Sequence, residues 1–188
     1  MQGPLDPSPS IVTHRAPPDE RGAAEIMSLV GSGEFYIVRD GTWFHEGRPF
    51  PRKALVKLFS TVLRRDEDGL YWLQTPVEKV RVHVEDAPFI AEEMEREGAG
   101  RKQVLWFRTN MDVWVEAGPD HPIRVRRSPE TGEPSPYILV KDKLEALLAR
   151  SVFYSLVELA EPARQNGEEV LGVWSHETFF PLGGMPAD

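Results

Sequence analysis

The chain has 188 residues, 40% hydrophobic and 28% charged, with 17 prolines and no cysteine; this suits one globular domain or two small ones sharing an interface, and excludes disulfides and thiolate chemistry. A formal net charge of −8 argues against broad nucleic-acid binding, which needs a basic surface, but leaves room for a small anion held by one local arginine cluster. No apolar run reaches the roughly 18 residues of a membrane span, MQGPLDPSPS lacks the basic start and apolar stretch of a secretory signal, and the missing cysteines are compatible with a reducing cytoplasm, the expected location.

In chain order, residues 1–20 carry Pro4, Pro7, Pro9, Pro17 and Pro18 among polar residues and read as a disordered tail. Ala23–Gly31 reads as one short helix stopped by glycine. EFYIVRDGTWFHEG gives two strands around Asp40-Gly41. PRKALVKLFSTVL places Leu55, Leu58, Phe59 and Val62 at helical spacing, with Pro51 near the start. STVLRRDEDGLYWLQT gives two strands around Asp68-Gly69.

In TPVEKVRVHVEDAPF, Val80, Val82 and Val84 alternate with Arg81, His83 and Glu85, the period of a strand with one wet face. Asp86 then reads as the cap of a short helix with Pro88 in its first turn. AEEMEREGAG reads as an exposed short helix with Ile90 and Met94 inward. QVLWFRTNMDVWVEAG and HPIRVRR read as further strands, and RSPETGEPSP as a loop. KDKLEALLARS reads as a helix, with Leu144, Leu147 and Leu148 on one face and Asp142 with Glu145 as a capping box. YSLVELAEPARQNGEEVLGVWSHETFFPL gives two longer strands around Asn166-Gly167.

These elements echo one another: a tryptophan-bearing strand, a helix and a hairpin occur in each half. The expected class is α+β, with two similar half-domains of antiparallel and mixed strands and one helix each. The boundaries are an N-terminal half at 21–97, a linker at 98–102 and a C-terminal half at 103–188.

Chemical motifs are scarce. No phosphate-cradling glycine-lysine loop, nucleophile elbow or H-E-x-x-H occurs, and GSGEFY fails the dinucleotide pattern because position 36 is tyrosine. The DEDG segment has Arg64 and Thr75 where a calcium loop needs its first and last ligands. The five histidines at 14, 45, 83, 121 and 176 show no ligand spacing, so neither metal nor cofactor is expected. Arg124 and Arg126 share a strand face and could clamp an anion bidentately. The alternative is a solvated face paired with nearby glutamates. Tryptophans 43, 72, 106, 114 and 174 all fall on expected strands, where core packing is favoured over base stacking.

Several segments in fixed order carry a resemblance. GTWFHEGRPFPRKALVKLF, DGLYWLQTPVEKVRVHVEDAPF, FRTNMD, HPIRVR, PSPYILVKDKLEALLAR and LGVWSHETFFPLG resemble a bacterial family of unknown function, DUF1285, from about residue 34 to 183. The resemblance implies a duplicated α+β architecture whose second half is similar to a pleckstrin-homology-like barrel. It also implies a ligand site between the halves for something nucleotide-like, and a role in signalling. Thr75, Glu78, Lys79 and Asp86 match family-like segments in the first half, and Thr109, Asn110, His121 and Arg124 in the second. The roles that follow are Arg124 and Lys79 for an anionic group, Thr109 and Asn110 for polar edges, and Asp86 for a hydroxyl or ring donor.

The expectation is a non-enzymatic ligand-binding or sensor module. Two alternatives stand beside it. One is a hydrolase using Glu78, Asp86 or His121 as acid or base. The other is a protein-interaction module, with a homodimer or a signalling protein as partner.

Overall fold

Alternation of apolar and polar residues builds most of this molecule, seen here in a computed structural model that describes Gly22 and residues 33–184. The expected proline-rich tail and the helix at 23–31 lie outside the described residues.

The first sheet takes β1 (Phe35–Ile37), β2 (Trp43–His45), β3 (Arg48–Pro49), β4 (Leu63–Arg65), β5 (Tyr71–Gln74) and β6 (Lys79–Val84), in the order β3-β2-β1-β6-β5-β4. Each neighbouring pair is antiparallel except β1 and β6, which run parallel with Phe35 opposite Val82. Between the two three-stranded meanders lies helix α1 (Lys53–Thr61). It follows Pro51 as expected and buries Val56 and Phe59 against Phe35, Ile37, Leu73 and Val82.

The second sheet repeats the plan. It comprises β7 (Phe89–Glu97), β8 (Val104–Thr109), β9 (Trp114–Glu116), β10 (Ile123–Arg127), β11 (Pro134–Lys141) and β12 (Leu144–Leu148), in the order β10-β11-β12-β7-β8-β9. Again two meanders join through a parallel pair of first and last strands, here β7 and β12. The sheets change over at Glu85–Pro88, whereas 98–102 connects the neighbouring strands β7 and β8.

A third sheet, β13 (Glu161–Gln165), β14 (Glu168–Ser175) and β15 (Thr178–Gly184), follows helix α2 (Arg150–Glu158). Ser175 docks it on the second sheet. The fully buried Ser175 hydroxyl donates to the Ala117 carbonyl at 2.6 Å and accepts from the Leu105 amide at 3.0 Å. Gln103 adds a side-chain bond to the Trp174 carbonyl at 2.8 Å.

The three Asp-Gly and Asn-Gly turns lie where the sequence places them. Gly41, Gly69 and the Asn166-Gly167 pair all have positive φ, which their hairpins require. A further tight turn, His176–Glu177, has positive φ at both residues without any glycine. No sequence signal marks it.

Among the described residues each expected half holds one α-helix, α1 within 21–97 and α2 within 103–188, but the second helix is not the segment the sequence points to. The described residues are mostly β, with α1 in the first half and α2 after the second sheet. KDKLEALLARS is not a helix: Asp142, at φ 45°, turns the chain into β12. Leu144, Ala146 and Leu148 then point inward at period two, between β11 and β7. Two ladders of backbone bonds and burial of one face override the helix preference of Leu, Ala and Glu there. The helix lies one segment later, where strand was expected, and buries Val152 and Leu156 at i, i+4 spacing. AEEMEREGAG is likewise not a helix, because its first seven residues complete β7. Asp86 caps none; it sits in the short crossing between the sheets.

One cluster of buried side chains runs through both halves, joining Phe59 and Val62 to Leu105, Phe107, Val173 and Phe180. All five tryptophans lie on strands, but Trp43 is fully buried while the other four are half-buried.

Candidate functional site

The eight residues expected at a site fall in several places. Thr75 is buried, and its hydroxyl accepts from the Glu78 amide at 3.1 Å, closing the turn before β6. Lys79 lies over the Trp72 ring at 4.3 Å on the outward face of the first sheet. Both Glu78 and Lys79 stand at the far end of β6 from Asp86. Six strand residues separate the two ends by roughly 20 Å, so these polar groups do not converge.

Thr109 is buried and accepts from the Met111 and Val113 amides, both at 3.3 Å. Asn110 accepts from the Ile90 amide at 3.1 Å through its side chain and donates to the Ile90 carbonyl at 2.8 Å through its own amide. It packs beneath the Gly41 turn, so its work is joining the two halves. His121 Nδ1 lies 3.0 Å from the Leu139 carbonyl.

Asp86 and Arg124 do come together, at the seam between the sheets. The Asp86 side chain is only 4% exposed and sits in the crossing between the sheets, so a carboxyl group there needs polar partners. The Tyr137 hydroxyl donates to its Oδ1 at 2.7 Å, and Arg126 Nη2 donates to the same oxygen at 2.9 Å. From the first half, Arg39 Nη1 approaches Oδ2 at 3.5 Å, while Arg39 Nη2 donates to the Ser135 hydroxyl at 3.2 Å. Arg126 also donates to the Tyr137 oxygen at 2.7 Å. Neighbouring Glu85 accepts the Arg39 amide at 2.8 Å.

Arg124 sits over the Tyr137 ring at 4.6 Å and is gripped by both carboxylate oxygens of Glu145. That grip raises the Arg124 pKa further. Burial, then the bond to Asp86, pushes the Tyr137 phenol up. Tyr71, from the first half, is also raised by burial, against the pull of Arg65. A cleft of about 440 Å³ opens beside this group, between Arg65–Gly69 of the first half and Arg124, Lys143 and Glu145 of the second.

The shared face of Arg124 and Arg126 is therefore as the strand period implies, and both arginines have carboxylate partners. Arg39 and Tyr137 were missed. Register explains Tyr137, which lies directly opposite Arg124 across β10 and β11; nothing local in PSPYILVK marks it. Arg39 reaches Asp86 only because β1 pairs in parallel with β6.

A second cleft, about 620 Å³, lies within the second half. Trp106, Trp114, Glu116, Asp120, His121 and His176 line it, and His176 Nε2 meets Glu116 Oε1. Among the described residues no three His, Asp or Glu side chains gather as metal ligands do. No helix among them is long and apolar enough to cross a membrane.

Comparison with known proteins covers nearly all of the described chain. Residues 28–87 match the family model described as "Domain of unknown function (DUF1285), N-terminal domain", and residues 88–182 match "Protein of unknown function (DUF1285), C-terminal domain". The crystal structure of a DUF1285 family protein from Silicibacter pomeroyi DSS-3 is similar at 44% identity and TM-score 0.74, over 85% of this chain and 87% of that one. A second, from Shewanella baltica OS155, is similar at 29% identity and TM-score 0.52, over 67% of this chain and 91% of that one. No curated protein matches the chain.

Proposed function

The chain belongs to the DUF1285 family, and from that premise we propose a non-enzymatic module that binds a small anionic, nucleotide-like group at the seam between its two sheets. One observation carries the reading. Two arginines from opposite halves, Arg39 and Arg126, converge on a single buried carboxylate while their own side chains stay 57% and 58% exposed. A guanidinium has five N–H donors. Asp86, Ser135 and Tyr137 engage only the Nη groups of Arg39 and the Nη2 of Arg126. The exposed remainder of both guanidiniums leaves donors over for an anion, with Arg126 held over the Tyr137 ring.

Counting Glu85 and Glu145, three arginines face three carboxylates at this seam. An anion would thus be held by unused, directed donors rather than by a strong general field. That favours one compact phosphate-like group over a polyanion. The reading extends to a pleckstrin-homology-like second half, a part in bacterial signalling and a cytoplasmic setting.

The test is a thermal-shift and calorimetric screen against pyrophosphate, nucleotides and cyclic dinucleotides. A ligand confined to the native state adds about 2.7 kcal/mol at 100 times its dissociation constant. Arg126→Ala should weaken a hit at least tenfold, and Lys79→Ala, on the outward face, should leave it unchanged. No response to any anion, or full binding by Arg126→Ala, would remove the proposal.

A further inference from the structure

We infer that the second half carries another site of opposite preference: the cleft walled by Trp106 and Trp114 takes an alkylammonium cation. Its two indoles are placed by strand register. Trp106 faces Glu116 across β8 and β9, and Arg108 faces Trp114, so the two rings are diagonal neighbours on one face. Unlike Trp43 both are half-buried, and both line the cleft. An indole face attracts a cation more strongly than any other aromatic side chain.

Charge on the same face agrees. Trp106 is flanked directly by Glu116 on β9 and by Glu95 on β7. Asp120 stands on the rim, with no ion-pair partner among the described residues. No lysine or arginine lines the cleft, and nearby Arg108 is turned to Glu93 and Asp112. The cleft thus offers carboxylates and no lysine or arginine, so an alkylammonium group would find both π surface and carboxylate there. Its volume, about 620 Å³, falls within the range of small-molecule sites.

The mouth is built rather than loose. His176 and Glu177 hold positive φ through backbone bonds to the Gln103 and Arg101 carbonyls at 3.0 and 2.9 Å. This sets the His176 ring against Glu116, holding that carboxylate in the lining of the cleft.

The experiment is a titration of the ¹⁵N-labelled protein with tetramethylammonium chloride, read on the indole Nε1–H signals, with sodium chloride as the control. The chain has five tryptophans, so the signals are few and assignable by substitution. Saturable movement of the Trp106 and Trp114 signals alone is expected. Trp114→Leu keeps an apolar side chain but removes the π cloud, and should weaken binding about 5- to 30-fold. Asp120→Asn, on the exposed rim, should also weaken it without disturbing the fold. Arg126→Ala should leave it intact, which separates this site from the anion seam. Equal movement of all five signals, the same response to sodium chloride, or unchanged binding by both variants overturns the inference.

Discussion

Replacing Tyr137 by phenylalanine tests the seam most directly. Tyr137 is 1% exposed, and phenylalanine keeps its ring packing while removing one oxygen. Two bonds vanish: the donation to Asp86 Oδ1 and the acceptance from Arg126 Nη2, both at 2.7 Å. Arg126 can recover water, because it is exposed, but the buried Asp86 oxygen loses one of its two donors. A hydrogen bond to a charged group contributes about 1.5–3 kcal/mol, so the expected loss is about 2 kcal/mol. For a chain of this size that lowers Tm by about 4–8 °C. Urea unfolding at neutral pH should show a lower midpoint with an unchanged slope. A loss under about 0.5 kcal/mol would refute the reasoning, since Asp86 would then be effectively solvated.

The same variant has an alkaline signature. Burial and Asp86 raise the Tyr137 pKa above the ordinary phenol value near 10. Above that value the unfolded chain loses a proton that the folded chain keeps. Stability therefore falls as pH rises from about 10 toward the folded pKa. Tyr137→Phe should flatten this decline in part, leaving the shares that the raised Tyr71 and Tyr36 contribute. An alkaline limb identical to that of the parent would contradict the assignment.

Two further substitutions probe how the parts are joined. Gly41 has φ 87°, and a Cβ there would meet Ile90 Cγ1 at 2.7 Å and Asn110 Nδ2 at 2.8 Å. Gly41→Ala should destabilise by about 1–3 kcal/mol through strain and crowding between the halves; neutrality in chemical denaturation would show that the turn can shift freely. Ser175→Ala removes the hydroxyl that bridges Leu105 and Ala117. It should cost about 1–3 kcal/mol and raise hydrogen exchange in β14 and β15 first; uniform exchange would mean that the third sheet is held elsewhere.

Much of this architecture was legible in the chain. Asp40-Gly41, Asp68-Gly69 and Asn166-Gly167 located three hairpins because few residues tolerate positive φ, and those dipeptides do so cheaply. The apolar spacing from Leu55 to Val62 located α1, and Val80 to Val84 located β6. The glycine-free turn at His176–Glu177 left no such mark.

The residues around Leu144–Leu148 show where local reading fails. Leu-Glu-Ala-Leu-Leu satisfies a helix stripe and a strand alternation alike, and the free chain prefers helix. Flanking strands β11 and β7 decide for strand, because together they satisfy its backbone on both sides and bury Leu144, Ala146 and Leu148. With that segment extended, helix forms instead at Arg150–Glu158.

For the site the division is sharper. Strand period alone put Arg124 and Arg126 on one face, and composition alone ruled out thiol chemistry and disulfides. Which carboxylate those arginines meet was settled by tertiary structure. Asp86 and Arg126 are 40 residues apart, and Asp86 and Tyr137 are 51 apart. Periodicity reports which way a side chain points, but only the pairing of distant strands determines what stands opposite it.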